Sequence, residues 1–239
     1  MNVTSLDELL KTLFGESEVW DGDGIQINFG NEVRKAVAAL DCTTEVLDYA
    51  FSVGADTVIT HHPLIFRPLK TLSYDDAVGK RVLKASAYGI SVLAYHTCLD
   101  KADGGVNDVL CEKLGIKNTR KFVPYGRCGE TDAETDLSDF VSFGENALNT
   151  KAQNVVDCGR SVKKVAVVSG SGKGEVKEAY LSGADTFVTG EASHDALIDC
   201  RELGMNMVCF THFATENIIV PHLASVIREY VPEVKEYGI

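Results

Sequence analysis

Thr60-His61-His62-Pro63-Leu64-Ile65-Phe66 is the stretch on which the fold assignment depends. The residues before it, 56–59, form a short apolar and β-branched run that predicts a buried strand, and Pro63 prevents that strand from continuing. The two histidines therefore lie at the carboxyl end of a strand, where open α/β sheets place their ligand crevices. Side chains alternate along a strand, but where the backbone turns, two neighbouring imidazoles can serve two neighbouring metal ions. The alternative is one core histidine and one surface histidine.

The composition is that of a globular protein. The chain has 239 residues, 45% of them apolar and 24% charged, enough for one large or two small domains. No apolar run approaches the roughly 20 residues of a membrane span, and residues 1–14 are amphipathic and acidic, unlike a secretory signal. Ser5 and Glu8 have the spacing of a helix capping box there. The seven cysteines lack C-x-x-C spacing, which favours free thiols in the cytoplasm.

The net charge limits the classes of partner. A formal charge of −12 argues against nonspecific nucleic-acid binding, which relies on a basic surface. A bound dication could still make one pocket locally positive inside an acidic protein.

An internal repeat predicts the architecture. Gly-Ala-Asp-Thr-Val-Ile-Thr at 54–60 recurs as Gly-Ala-Asp-Thr-Phe-Val-Thr at 183–189, and the strand before His96 matches the strand before His212. We expect an α/β fold with two similar β-α-β lobes related by internal pseudo-symmetry, each a mostly parallel sheet flanked by helices. The predicted lobes are residues 1–120 and 121–239, unless both form one compact unit. Residues 117–159 are less periodic and are predicted as a β-rich connection with one short helix.

The predicted strand ends concentrate residues that bind metals. They carry His61, His62, His96 and Asp100 in the first half, and Glu191, His194, His212 and Glu216 in the second. His212 and Glu216 are four residues apart, so they point the same way if a helix begins there. Imidazole and carboxylate ligands suit zinc, iron or manganese. The donors exceed the needs of one ion, and a carboxylate can bridge two ions about 3.5–4 Å apart.

Four motifs in fixed order resemble the Nif-three-like dinuclear metal centre family, whose members are often named GTP cyclohydrolase I type 2 homologues. They are T-H-H-P-L-I-F, H-T-C-L-D-x-x-x-G-G-V-N-D, T-G-E-A-S-H-D and T-H-F-A-T-E. The resemblance covers nearly the whole chain from Trp20, as a short form without the inserted middle domain. It implies a toroidal homohexamer with two divalent metal ions facing an internal cavity. The metal ligands that it implies are His61, His62, Asp100, His212 and Glu216.

The chain departs from the family pattern at two places. Thr211 stands where the family has glycine before the C-terminal histidine, and the tryptophan loop reads Asp21-Gly-Asp-Gly. Neither change removes a ligand, but the second could alter the rim of the cavity.

Four further residues have two interpretations each. His96 is a catalytic or cavity-lining group, or a core histidine bonded to backbone. His194 shuttles protons, or lies on a helix surface. Glu191 orients a ligand or binds substrate, or caps a helix N-terminus. Asp41 lines the site, or is the N-cap of the next helix.

A glycine-rich segment, Ser-Gly-Ser-Gly-Lys-Gly at 169–174, resembles a phosphate loop but lacks the Walker spacing. It is an ordinary strand-to-helix turn, or a backbone nest that binds an anion.

Two functions of different classes follow. The first is a metal-dependent hydrolase acting on a small phosphorylated or nucleotide-like substrate, with ring-opening cyclohydrolase chemistry as one example, in which His96 and His194 move protons. The second is a noncatalytic metal-binding or regulatory assembly.

Overall fold

The predicted alternation of strands and helices is present in the structure, a computed structural model that describes residues 1–15 and 17–238. The helices are α1 (Val3–Phe14), α2 (Thr44–Ser52), α3 (Ala77–Tyr88), α4 (Thr97–Lys101), α5 (Val106–Lys113), α6 (Leu137–Ala147), α7 (Val176–Leu181), α8 (His194–Leu203), α9 (His212–Glu216) and α10 (Ile219–Arg228). The strands are β1 (Gly24–Ile27), β2 (Lys35–Ala39), β3 (Thr57–Thr60), β4 (Ser91–Ala94), β5 (Lys117–Val123), β6 (Gly126–Thr135), β7 (Asn154–Val156), β8 (Val162–Val168), β9 (Thr186–Thr189), β10 (Asn206–Cys209) and β11 (Glu233–Tyr237). Within the described ranges, no helix has both the length and the apolar character to cross a bilayer.

The first helix starts earlier than the capping-box spacing predicts. Helix α1 begins at Val3, and Asn2 is its N-cap, because the Asn2 side chain accepts a hydrogen bond from the Ser5 backbone at 2.8 Å. Ser5 therefore lies inside the first turn, and its predicted capping role is wrong.

The first compact unit comprises Met1–Ala102 and the residues from Ile219 onward. Its sheet has the order β1-β4-β3-β2-β11, in which β4, β3, β2 and β11 are parallel and β1 is antiparallel at the edge. Helices α2 and α3 pack on this sheet through one buried apolar cluster, which includes Val37, Val58 and Val92 of the strands and Leu47 and Val82 of the helices. This arrangement is the predicted α/β layer.

The second compact unit is Asp103–Ile218. Its sheet has the order β5-β6-β8-β9-β10-β7, and only β8, β9 and β10 are parallel to one another. Strands β5, β6 and β7 pair antiparallel, and two residues join β5 to β6, a connection that only antiparallel strands allow. The second sheet is therefore mixed rather than mostly parallel. Along β8, Val165 and Val167 face one buried cluster while Ala166 and Val168 face another, so helices cover both faces of the sheet.

The bounds of these units differ from the predicted division at residue 120. The last strand, β11, pairs with β2 over five residues from Glu233↔Lys35 to Tyr237↔Ala39, and α10 contacts both strands. This pairing joins the C-terminal segment to the first unit. The segment 117–159 forms β5, β6, α6 and β7, which confirms the predicted β-rich connection with one helix.

In the first unit, the repeated Gly-Ala-Asp-Thr motif fixes the start of two strands. The Asp56 carboxylate accepts hydrogen bonds from the backbone N–H groups of Arg34 at 2.9 Å and Lys35 at 3.2 Å, and from the Thr57 hydroxyl at 2.9 Å. One side chain therefore sets β2 and β3 in register at their amino ends.

In the second unit, Asp185 repeats this arrangement. Its carboxylate accepts hydrogen bonds from the backbone of Lys163 at 3.1 Å and Lys164 at 2.7 Å, and from the Thr186 hydroxyl at 2.8 Å. The repeated sequence is therefore explained by structure, and in the first unit His61 and His62 lie at the opposite end of β3.

We expect Asp185→Ala to lower the free energy of unfolding by about 2 kcal/mol, because two partly buried backbone N–H groups and the buried Thr186 hydroxyl would lose their acceptor. Asp185→Asn, which keeps one acceptor oxygen, should lose less. Urea denaturation followed by circular dichroism measures both, and Asp199→Ala, an exposed aspartate of α8, is the control. Equal stability of the two alanine variants would contradict the structural role of the motif.

Candidate metal centre

The first unit brings its histidines to one edge of the sheet. Strands β3 and β4 are parallel, with Thr60 opposite Ala94, so their carboxyl ends lie side by side. His61 and His62 follow β3 directly, and the Thr60 hydroxyl donates a hydrogen bond to the His62 carbonyl at 2.7 Å, which stabilises the turn. His96 follows β4 after one residue and precedes α4. Two segments that are distant in sequence thus place three imidazoles at the same edge of the sheet.

These three imidazoles form one compact group. The ring centroids are 4.9 Å apart for His61 and His62, 5.2 Å for His61 and His96, and 5.5 Å for His62 and His96. Each residue can offer one ring nitrogen such that all three nitrogens lie within 4.8 Å of one another. His61 is fully buried and the others are partly exposed. The structure thus places His96 beside the histidine pair.

In the histidine pair, the Nδ1 atoms contact oxygen acceptors. His61 Nδ1 lies 3.0 Å from the Tyr95 carbonyl oxygen, and His62 Nδ1 lies 2.9 Å from an Asp41 carboxylate oxygen. Carbonyl and ionised carboxylate oxygens only accept hydrogen bonds, so Nδ1 carries the proton and Nε2 is unprotonated, the state in which an imidazole nitrogen can bind a cation. Metal-binding histidines are oriented in this way. Asp41 therefore contacts the site, and Thr43 is the N-cap of α2.

His96 has its own carboxylate partner, Asp21. The His96 Nδ1 atom lies 3.0 and 3.1 Å from the two carboxylate oxygens of Asp21, whose side chain is fully buried. Burial alone would raise the pKa of Asp21, but hydrogen bonds from His96 and Thr97 hold it well below its usual range. For His96, burial alone would lower the pKa, but the hydrogen bond to Asp21 and the negative charge of Asp100 raise it above its usual value. The predicted rim loop thus supplies a positioning carboxylate, which the sequence interpretation missed.

Asp100 approaches the group from α4, the short helix that begins directly after His96. Its Oδ1 atom lies 3.6 Å from His61 Nε2. This separation is longer than a hydrogen bond and suits two ligands of one cation.

The second unit contributes a histidine and a carboxylate on one helical turn. Helix α9 starts at His212, because Thr211 caps it by accepting a hydrogen bond from the Ala214 backbone at 2.9 Å. The His212 Nε2 atom lies 2.9 Å from Glu216 Oε2, and its Nδ1 atom lies 2.8 Å from Glu191 Oε1. The predicted helical pair is present, and Glu191 orients His212. This hydrogen bond lowers the pKa of Glu191.

The glycine-rich segment packs against this pair. Gly170 has a φ of +56°, and a Cβ atom there would overlap Glu216 Oε1 and lie 3.1 Å from His212 Nε2. The Gly170 N–H also donates to the Thr215 hydroxyl at 3.0 Å. The absence of a side chain at position 170 is therefore a steric requirement of the His212–Glu216 pair.

His194 is exposed as the first residue of α8. Among residues 1–15 and 17–238 it belongs to none of the groups whose ligand atoms converge. His194 is therefore separate from the candidate metal ligands, and its role in proton transfer stays a prediction.

The donor set fits a first-row divalent cation. In each unit imidazole nitrogen occurs beside carboxylate oxygen, and each of these histidines has an oxygen acceptor at Nδ1. Nitrogen and oxygen ligands of this kind suit zinc, iron or manganese. The described residues therefore include groups that could hold a metal ion.

Comparisons with known proteins show the family of the chain. Residues 1–238 match the model of the Duf34/NIF3 (NGG1p interacting factor 3) family. A Clostridium perfringens protein named GTP cyclohydrolase 1 type 2 homolog is 29% identical over 222 residues, which cover 89% of this chain and 85% of that protein. An Archaeoglobus fulgidus protein of the same name is 30% identical over 209 residues, with 87% and 84% covered.

Solved structures also match. The crystal structure of a Staphylococcus aureus hypothetical protein has a TM-score of 0.93 at 26% identity, covering 100% of this chain and 97% of that one. The protein ybgI, of unknown function, has a TM-score of 0.93 at 25% identity, covering 100% and 98%.

We expect Gly170→Ala to displace Glu216 and to lower the free energy of unfolding by about 1–2 kcal/mol, because an L-residue is strained at this backbone conformation. Gly174→Ala is the matched control, since a Cβ atom there would meet nothing within 4 Å. Urea denaturation measures stability, and the NMR titration of His212 reports on its pairing with Glu216. A Gly170→Ala protein that behaves like Gly174→Ala in both measurements would contradict the close packing.

Proposed function

Because the chain belongs to the Duf34/NIF3 family, we propose that it is a metal-dependent hydrolase with two divalent ions held by His61, His62, Asp100, His212 and Glu216. The relatives named GTP cyclohydrolase 1 type 2 homolog support a small nucleotide-like or phosphorylated substrate. The ions are of the zinc, iron or manganese class.

One observation carries this proposal. Every histidine of the proposed set has Nδ1 within 3.0 Å of a carbonyl or carboxylate oxygen, from Tyr95 for His61, Asp41 for His62 and Glu191 for His212. Such contacts select the tautomer with Nε2 as the metal ligand, and this partner is a general feature of metal-binding histidines. Core histidines that serve packing alone have no need for the same orientation in each unit.

In this proposal, His96 and His194 transfer protons. The Asp21 carboxylate accepts a hydrogen bond from His96 Nδ1–H. The His96 Nε2 atom can therefore take a proton from water and return it to the leaving group. His194, at the exposed start of α8, is a second proton carrier in this scheme. Divalent ions in such sites lower the pKa of water to near neutral and polarise the bond under attack.

We also propose that the protein works in the cytoplasm as a homohexamer. All seven cysteines are free thiols, which suits a reducing compartment, and the hexamer follows from the family resemblance. Multi-angle light scattering of the purified protein tests the assembly.

We expect the His61→Ala/His62→Ala double variant to lose bound divalent metal, because both imidazoles of the turn would be removed. The measurement is elemental analysis after chelation, reloading with zinc or manganese, and dialysis. His222→Ala removes an exposed histidine of α10 and should leave the metal content unchanged. Full metal content in the double variant would refute the proposed ligand set.

Turnover is tested by incubating metal-loaded protein with a panel of nucleotides and phosphoesters. We expect Glu216→Ala to lower turnover by about 10- to 100-fold, because a carboxylate of the metal site would be removed. Glu229→Ala, which removes an exposed glutamate, should leave turnover unchanged. Tight metal binding without turnover of any panel member would instead favour the noncatalytic metal-binding or regulatory role.

A further inference from the structure

We infer that Trp20 and Phe66 form a stacking subsite for a planar heteroaromatic ring of the purine class, beside the histidine group of the first unit. This inference rests on the proposed function, because it assigns the ring-bearing part of the substrate to a place on the protein.

Both rings are accessible to a ligand. Trp20 is 61% exposed and Phe66 is 47% exposed, although both are large side chains that proteins usually bury. Trp20 belongs to the turn before β1, and Phe66 belongs to the loop that follows the histidine pair. Exposure of two aromatic rings at one place indicates an interaction site.

The Gln26 side chain holds the two loops together by hydrogen bonds to their backbone groups. The Ile65 N–H donates a hydrogen bond to the Gln26 side-chain oxygen at 2.8 Å, and the Gln26 amide donates to the Gly22 carbonyl. A Cβ atom at Gly22 would lie 2.9 Å from the Ile65 carbonyl oxygen and 3.1 Å from Pro63, so only glycine allows this approach. The positions of the rings are therefore built into the fold.

The Trp20 and Phe66 rings form a corner that can hold a planar ligand. The Trp20 and Phe66 centroids are 6.2 Å apart with an interplanar angle of 77°, so the rings stand nearly perpendicular. A third planar ring can stack on the face of one and meet the edge of the other, the two arrangements that aromatic rings prefer. Every nucleobase has a π-face suited to such stacking.

The position of Phe66 beside the histidine group indicates the class of ligand that the two rings would bind. The Phe66 centroid lies 6.2 Å from that of His96 at an interplanar angle of 83°, and His96 is itself part of the histidine group. The series Trp20, Phe66 and His96 therefore leads from solvent to the proposed metal ligands. A ring seated at the corner would direct the attached polar part of the same molecule toward His96, which suits a nucleotide better than a purely aliphatic ligand.

Trp20 is the only tryptophan of the chain, so its fluorescence reports on this corner. We expect GMP to quench the emission of metal-loaded protein saturably, and ribose 5-phosphate, which lacks the ring, to leave it unchanged. Phe66→Leu should weaken GMP binding about fivefold to tenfold through loss of stacking. The matched control is Phe51→Leu, which removes a 57% exposed ring stacked on Tyr88 at 4.2 Å and should bind GMP as wild type does.

The inference would be overturned by the absence of saturable quenching, by equal quenching with ribose 5-phosphate, or by unchanged GMP affinity in Phe66→Leu. Burial of the corner against a second copy of the chain would also overturn it, and would appear as protection of Trp20 from acrylamide together with a lower mass of Phe66→Leu in light scattering.

The same titration after chelation separates the two proposals. GMP quenching that depends on Phe66 in a protein that binds no metal would refute the proposed function and retain the subsite. Normal metal content without GMP quenching would refute the subsite and retain the proposed function.

Discussion

The candidate centre depends on one interaction, the hydrogen bond from a histidine Nδ1–H to an oxygen acceptor. It recurs at His61, His62, His96 and His212 with four different acceptors, namely a backbone carbonyl, Asp41, Asp21 and Glu191. The contact selects one tautomer and restricts rotation of the ring, so that Nε2 has a defined direction. An imidazole without such a partner could adopt several rotamers, and the group would not be preorganised for a cation.

The register of the strands determines where the candidate ligands lie. Asp56 and Asp185 fix neighbouring parallel strands at their amino ends, and the register then determines which residues emerge at the carboxyl ends. In the first unit this places the turn after β3 beside the turn after β4. In the second unit Gly170 and Thr215 hold the glycine-rich segment against α9. The geometry of each unit thus follows from hydrogen bonds to the backbone rather than from the candidate ligands themselves.

Much of this could be predicted from the sequence, because strand ends and helical spacing are local patterns. The positions of His61, His62 and His96 after strands, and the pairing of His212 with Glu216, required only a period and a turn signal. The contact of Asp21 with His96 could not be predicted, since it joins residues 75 apart through the packing of a loop. The place of β11 beside β2 was missed for the same reason, because pairing between distant strands leaves no mark in either local pattern.

The pairing of β11 with β2 also has a consequence for biosynthesis. The first unit combines Met1–Ala102 with the segment from Ile219 onward, whereas the second unit is continuous from Asp103 to Ile218. On the ribosome the second unit can therefore complete its core while the first still lacks an outer strand. One edge of the first sheet stays unpaired until residues 233–237 have left the exit tunnel, and an unpaired strand edge is a surface to which chaperones bind.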